Sequence, residues 1–82
     1  MYLARIYIIP KPTVNDPQGL TIENSLHTLE FKSVHSVRVG KYMEICLDEK
    51  NKEAAEKAIN AMCGKLLSNP VIESYHFDIE AM

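Results

Sequence analysis

Ser36-Val37-Arg38-Val39-Gly40-Lys41-Tyr42-Met43-Glu44-Ile45-Cys46-Leu47 is the stretch on which the reading of the fold turns. Val37 and Val39 alternate with Ser36 and Arg38, and Met43, Ile45 and Leu47 alternate with Tyr42, Glu44 and Cys46. A period of two marks a half-buried strand, because successive side chains point to opposite faces. Two such runs, residues 34 to 39 and 42 to 47, flank Gly40-Lys41 and predict a β-hairpin with a two-residue turn.

Upstream of this hairpin, Tyr2 to Ile9 is β-branched and aromatic and stops at Pro10, which predicts a strand. Asp16-Pro17 then opens a helix. The carboxylate accepts otherwise unpaired amides, and proline at the first helical position lacks an amide that would be wasted. Ile22, Leu26 and Leu29 follow at i, i+4 and i+7, placing an apolar stripe on a helix from about residue 17 to 30. Gly19 is a poor residue in that first turn, costing on the order of 1 kcal/mol against Ala. Its plain reading is loop geometry near the helix start, and its sharper one is close approach by another backbone.

Downstream, Asn51 caps a second helix, with Glu53 and Glu56 near its positive end. Ala55, Ile59, Met62 and Leu66 form its apolar stripe, widened by Ala58 and Cys63, and Asn69-Pro70 ends it. Val71, Tyr75, Phe77 and Ile79 mark a last strand, interrupted on its apolar side by Glu73. The order β-α-β-β-α-β, in a single domain over residues 1–82, predicts an α+β, ferredoxin-like fold: a four-stranded antiparallel sheet with both helices on one face.

Nine Lys and Arg against eleven Asp and Glu give a net charge of −2, so there is no basic excess with which to neutralise phosphates. Nucleic-acid binding is not expected. Hydrophobic residues make up 46% of the chain, enough for a packed core. No apolar run approaches the ~20 residues of a membrane-spanning helix, and the N-terminus, with Arg5, Pro10, Lys11 and Pro12, is not a signal peptide. Cys46 and Cys63 have no CxxC partner, so neither a metal site nor a redox pair is indicated, and a reduced, cytoplasmic setting is expected. A domain this small gains from association with a partner or with itself.

The predicted sheet has one face toward the helices, carrying Ala4, Ile6, Ile8, Val37, Val39, Met43, Ile45 and Leu47. Its other face carries Leu3, Arg5, Tyr7, Ile9, Ser36, Arg38, Tyr42, Glu44, Cys46, Ile72, Ser74, His76 and Asp78, so that Leu3, Tyr7, Ile9, Tyr42 and Ile72 are mixed with a few charges. That second face is too apolar and aromatic for one left to water, which predicts a protein interface. Chemistry is sparse. His27, His35 and His76 do not converge, Cys46 has no base beside it, and Glu49, Glu53 and Glu56 form a solvated helix face. Gly40-Lys41 lacks the GxxxxGK[ST] frame of a phosphate loop. No catalytic, cofactor or metal residues are expected in this chain.

Four separated stretches, in order, resemble the PurS family, the small subunits of bacterial and archaeal phosphoribosylformylglycinamidine synthase. They are Lys11-Pro12 with Asp16-Pro17-Gln18-Gly19; His27-Thr28-Leu29; Ser36 to Tyr42; and Met62-Cys63-Gly64-Lys65-Leu66-Leu67-Ser68-Asn69-Pro70-Val71-Ile72-Glu73-Ser74-Tyr75. The resemblance spans essentially the whole chain, with departures at loop and surface positions such as Gly64. It implies a non-catalytic subunit of an ATP-dependent carbon–nitrogen ligase of purine biosynthesis. That complex converts formylglycinamide ribonucleotide to the amidine, using glutamine as the amide donor.

The same resemblance implies a glutaminase subunit and a large synthetase subunit as partners. ATP, magnesium and a structural ADP belong to the large subunit, and the small subunit helps ammonia pass between the two. A homodimer or tetramer is expected, formed either by burying the open sheet face or by pairing sheet edges, with the face favoured because of Tyr7 and Tyr42. Arg38, Gly40, Lys41 and the Asn69-Pro70 corner are the expected docking turns. The alternative is a dimeric regulatory domain that binds a small metabolite. An RNA-binding sheet is disfavoured by the charge and by the absence of an RNP1 motif.

Overall fold

A computed structural model describes residues Met1–Met82. β1 (Tyr2–Pro10) is the middle strand of a three-stranded antiparallel sheet, with β2 (Lys41–Leu47) on one side and β3 (Glu73–Ala81) on the other. The register places Ala4 opposite Ile45 and Ile79, and Tyr7 opposite Tyr42 and His76. Parity then does what the sequence demands. Ala4, Ile6 and Ile8 are fully buried under α2 (Lys52–Met62), which lies over β1 and β3, with Ala55, Ile59 and Cys63 facing down onto them.

The caps form as read. Asp16 Oδ1 accepts from the Gly19 amide at 3.0 Å to start α1 (Pro17–Thr28), and Asn51 Oδ1 accepts from the Ala54 amide at 2.8 Å to start α2. The stripe of α2 departs from the predicted one at its end. Residues Cys63–Leu67 form a wider π turn, closed by the Ser68 amide on the Cys63 carbonyl at 3.0 Å. The wide turn takes up an extra residue and advances the phase. Leu67 therefore packs against the core, while Leu66 stands 82% exposed. Val71, expected in the last strand, lies in the turn before β3 and is exposed.

The hairpin does not form. Residues 34 to 39 are extended but pair with no strand, so the sheet has three strands, not four. The reason lies at Gly40. A two-residue hairpin turn needs positive φ, and no glycine in the chain adopts it. Gly40 instead runs straight past the end of β1, where a β-carbon would collide with the Ile8 carbonyl oxygen and lie 2.9 Å from Ile9 Cγ2.

The second departure follows from the first. α1 is tied to the extended segment, and it has no extensive packing against any strand of its own chain. Gly19 supplies the closeness: a β-carbon there would strike the Val37 carbonyl oxygen, so the sharper reading of this glycine holds. Both helices on one sheet face is thus corrected to one helix on the sheet and one beside an arm. The molecule measures 51 × 27 × 14 Å with a radius of gyration of 16.3 Å. A compact chain of this length has about 12 Å.

Candidate docking surfaces

Two groups of the expected interface residues come together, at different places. On the sheet face away from α2, Tyr7 and Tyr42 are cross-strand neighbours with ring centroids 5.1 Å apart, and His76 stacks on the far side of Tyr7 at 4.7 Å and 15°. The result is an aromatic row across all three strands. Tyr42 is 51% exposed and donates its hydroxyl hydrogen to Glu44 at 2.8 Å. Accepting that bond, the Glu44 carboxylate raises the Tyr42 pKa above the ordinary phenol value. Below the row, Arg5 Nη2 meets Glu80 at 2.8 Å and Nη1 meets Asp78 at 3.3 Å. The guanidinium lowers the Glu80 pKa, and the two carboxylates raise that of Arg5.

The second group gathers at the end of the sheet. Arg38 reaches back from the extended segment and donates to three carbonyls of the β1–α1 loop: Lys11 at 2.6 Å, Pro10 at 3.3 Å and Val14 at 3.3 Å. Asp16 Oδ2 accepts from the Val39 amide at 2.9 Å while its other oxygen caps α1. Those two amides, Val39 first and Gly19 second, hold the Asp16 carboxyl below its ordinary pKa. Lys41 Nζ lies 3.5 Å from Glu73, whose other carboxylate oxygen accepts from the Asn69 amide at 2.7 Å. The Asn69 side-chain oxygen accepts from the Val71 amide at 3.1 Å, closing the corner through Pro70.

Sequence reasoning missed Glu73 as the link between Lys41 and the Asn69-Pro70 corner. It also missed His76 as the third ring of the row. The only available signal was that both lie on the last strand, and their partners depend on register, which a single strand does not reveal. His27 has a structural use: its Nε2 donates to the Val34 carbonyl at 2.8 Å and ties α1 to the extended segment. A shallow recess of about 240 Å³ lies between that segment and the start of α1, with Asp16 and Glu23 among its walls and Arg38 at its rim.

Fold and surfaces together define a small, open-sheet α+β domain whose aromatic and charged side chains lie on exposed faces and corners. The PurS family profile, described as Phosphoribosylformylglycinamidine (FGAM) synthase, matches residues 3–81. The chain belongs to the PurS family. It is 40% identical over 81 residues to the phosphoribosylformylglycinamidine synthase subunit PurS of Synechocystis sp., covering 99% of this chain and 81% of that one. The solved PurS of Bacillus subtilis superimposes with a TM-score of 0.89 at 37% identity, over 99% of this chain and 100% of that chain. A chain of the PurLQS structure from Thermotoga maritima matches with a TM-score of 0.86 at 30% identity, over 98% and 99% of the two chains.

Proposed function

We propose that this chain is the small, non-catalytic subunit of a phosphoribosylformylglycinamidine synthase complex of purine biosynthesis, bridging the glutaminase and the large synthetase subunits and assisting the passage of ammonia. The carrying observation is similarity to PurS subunits along the whole chain, including a chain of a PurLQS structure. The overall reaction is ATP-dependent carbon–nitrogen ligation with glutamine as amide donor. ATP, magnesium and structural ADP are assigned to the large subunit, and none to this chain. The setting is cytoplasmic.

The chemistry explains why a subunit without its own reaction centre is useful. Ammonia is largely protonated in neutral water, and ammonium has no lone pair with which to attack. A nucleophile made on one subunit and used on another must cross an interface sealed from solvent, and a rigid sheet with a turn cluster at its end suits that task. In this reading Arg38, Gly40, Lys41, Asn69 and Pro70 form the docking corner, while Tyr7 and Tyr42 lie at the centre of a self-association face. The working form is a homodimer or tetramer.

Reconstitution tests the proposal. Glutamine-dependent amidine formation by the glutaminase and large subunit is expected to appear only when this chain is added, while activity with free ammonia on the large subunit persists without it. Full glutamine-dependent activity in its absence overturns the reading.

A further inference from the structure

β3 is an edge strand with none of the devices that usually close an edge. Its register with β1 runs unbroken from Glu73 to Ala81, so no bulge turns it aside, and it contains neither proline nor lysine. On its far side it has no neighbouring strand. Tyr75, Phe77 and Ile79, all strand-forming residues, occupy its middle.

The direction of its unpaired backbone groups follows from the two ends of the ladder. The Lys11 amide donates to the Ile72 carbonyl at 2.8 Å, and the Met82 amide to the Met1 carbonyl at 2.9 Å. Hydrogen-bonded pairs alternate along an antiparallel ladder, so the even-numbered residues from 72 to 82 turn their amides and carbonyls toward β1. Tyr75, Phe77 and Ile79 turn theirs to the open side.

The side chains along this edge complement themselves. Laid antiparallel against a second copy and centred on Phe77, the strand sets Tyr75 across from Ile79, and Phe77 across from Phe77, on the helix side. On the opposite face it sets His76 across from Asp78, twice, and Ser74 across from Glu80. Moving the centre one residue either way brings like groups together, His76 on His76 or Asp78 on Asp78. Opposite charges directly across two strands favour their pairing, and like charges oppose it. Both groups are accessible. Asp78 is 58% exposed and meets Arg5 through Oδ1 alone. His76 stacks on Tyr7 of β1 through one ring face, which turns its other face toward the open edge.

We infer that two copies of this chain pair along their β3 edges, antiparallel and in register about Phe77, joining two three-stranded sheets into one continuous sheet. Tyr75, Phe77 and Ile79 exchange the backbone hydrogen bonds, and the two His76–Asp78 contacts fix the register. The two-fold axis is normal to the sheet, so both α2 helices lie on the same face and the Phe77 rings meet between them. This inference rests on the self-association part of the proposed function and gives it a contact separate from the Tyr7–Tyr42 face.

Cysteine pairing across that axis tests it, in chains whose exposed Cys46 is replaced by serine. A non-hydrogen-bonded pair brings its Cα atoms to about 4.5 Å, within disulfide range. Mixed under mild oxidation, H76C and D78C chains are expected to form a covalent heterodimer. Each chain alone is expected to give several-fold less, because residue 76 meets 78 and not itself. The link is expected to survive Y42D, which alters the sheet face on the opposite edge strand.

A second pair of variants separates the contact from any loss of fold. F77K and F77E are each expected to weaken association about tenfold in sedimentation, and their equimolar mixture to restore it. Only the mixture sets opposite charges at the axis. A wild-type chain that stays monomeric at all concentrations overturns both the edge pairing and the self-association reading. An associating chain that gives no mixed 76–78 link overturns the edge pairing alone, as does a charge mixture that associates no better than either variant.

Discussion

Gly19 and Gly40 hold their places through the space a side chain would take. Each passes a neighbouring backbone carbonyl, of Val37 and Ile8 respectively, at a distance no β-carbon tolerates. Gly40→Ala is expected to destabilise the fold by about 1–3 kcal/mol, the usual cost of forcing atoms into a packed site, measured by urea denaturation. Asp16 acts at the same scale through charge. Its two oxygens accept amides from α1 and from the extended segment, so its folded pKa lies below its unfolded one. A carboxylate depressed in this way stabilises fully above the unfolded value of about 4 and loses that contribution as pH falls through the folded value. Asp16→Asn is expected to lower the denaturation midpoint at pH 7 and to flatten its decline between about pH 5 and pH 2. An unchanged acid profile in the variant would assign that decline to other carboxylates, such as Glu80.

At the scale of elements, the phase of α2 is the sharpest case. Regular helical spacing puts Leu66 on the apolar stripe, yet the π turn hands that place to Leu67. Leu67→Ala is expected to cost about 1–2 kcal/mol, less than a fully buried leucine because the site is half-exposed. Leu66→Ala is expected to stay within about 0.5 kcal/mol in the single chain. Equal losses in thermal unfolding would refute the shifted phase. The caps of both helices and the sheet parity were legible beforehand because they depend on neighbours three residues away or on alternation alone. The π turn was not, since its cause is how the chain must reach Ser68, whose hydroxyl donates to the Cys63 carbonyl at 2.9 Å beneath the surface.

For the whole molecule, the aromatic row and the charged corner occupy separate regions, so one chain can meet different neighbours at once. The row of Tyr42, Tyr7 and His76 lies on the sheet face away from α2, with Tyr42 exposed. Tyr42→Asp places a carboxylate near Glu44 at one end of that row. It is expected to raise the dissociation constant of association through the face at least tenfold, read by analytical ultracentrifugation. A sedimentation profile identical to wild type would remove the face from the assembly. Each of the interface candidates lies on an exposed face or turn, but which of them share a surface depended on register and on the reach of Glu73.

The sequence by itself determined the two helices with both N-caps, the first and last strands, the strand parity that buries Ala4, Ile6 and Ile8, and the PurS family, because these rest on local chemistry and on residue identity along the chain. Only the tertiary structure decided whether residues 34–39 turn back or run on. The alternating pattern is the same for a hairpin and for one long strand, and the choice depends on the backbone angles of Gly40 and on what Arg38 and Asp16 grip. Those contacts join residues more than twenty positions apart. Pairing energy is nearly indifferent to whether the neighbouring strand comes from the same chain or another, so a periodicity can specify a strand without specifying its partner.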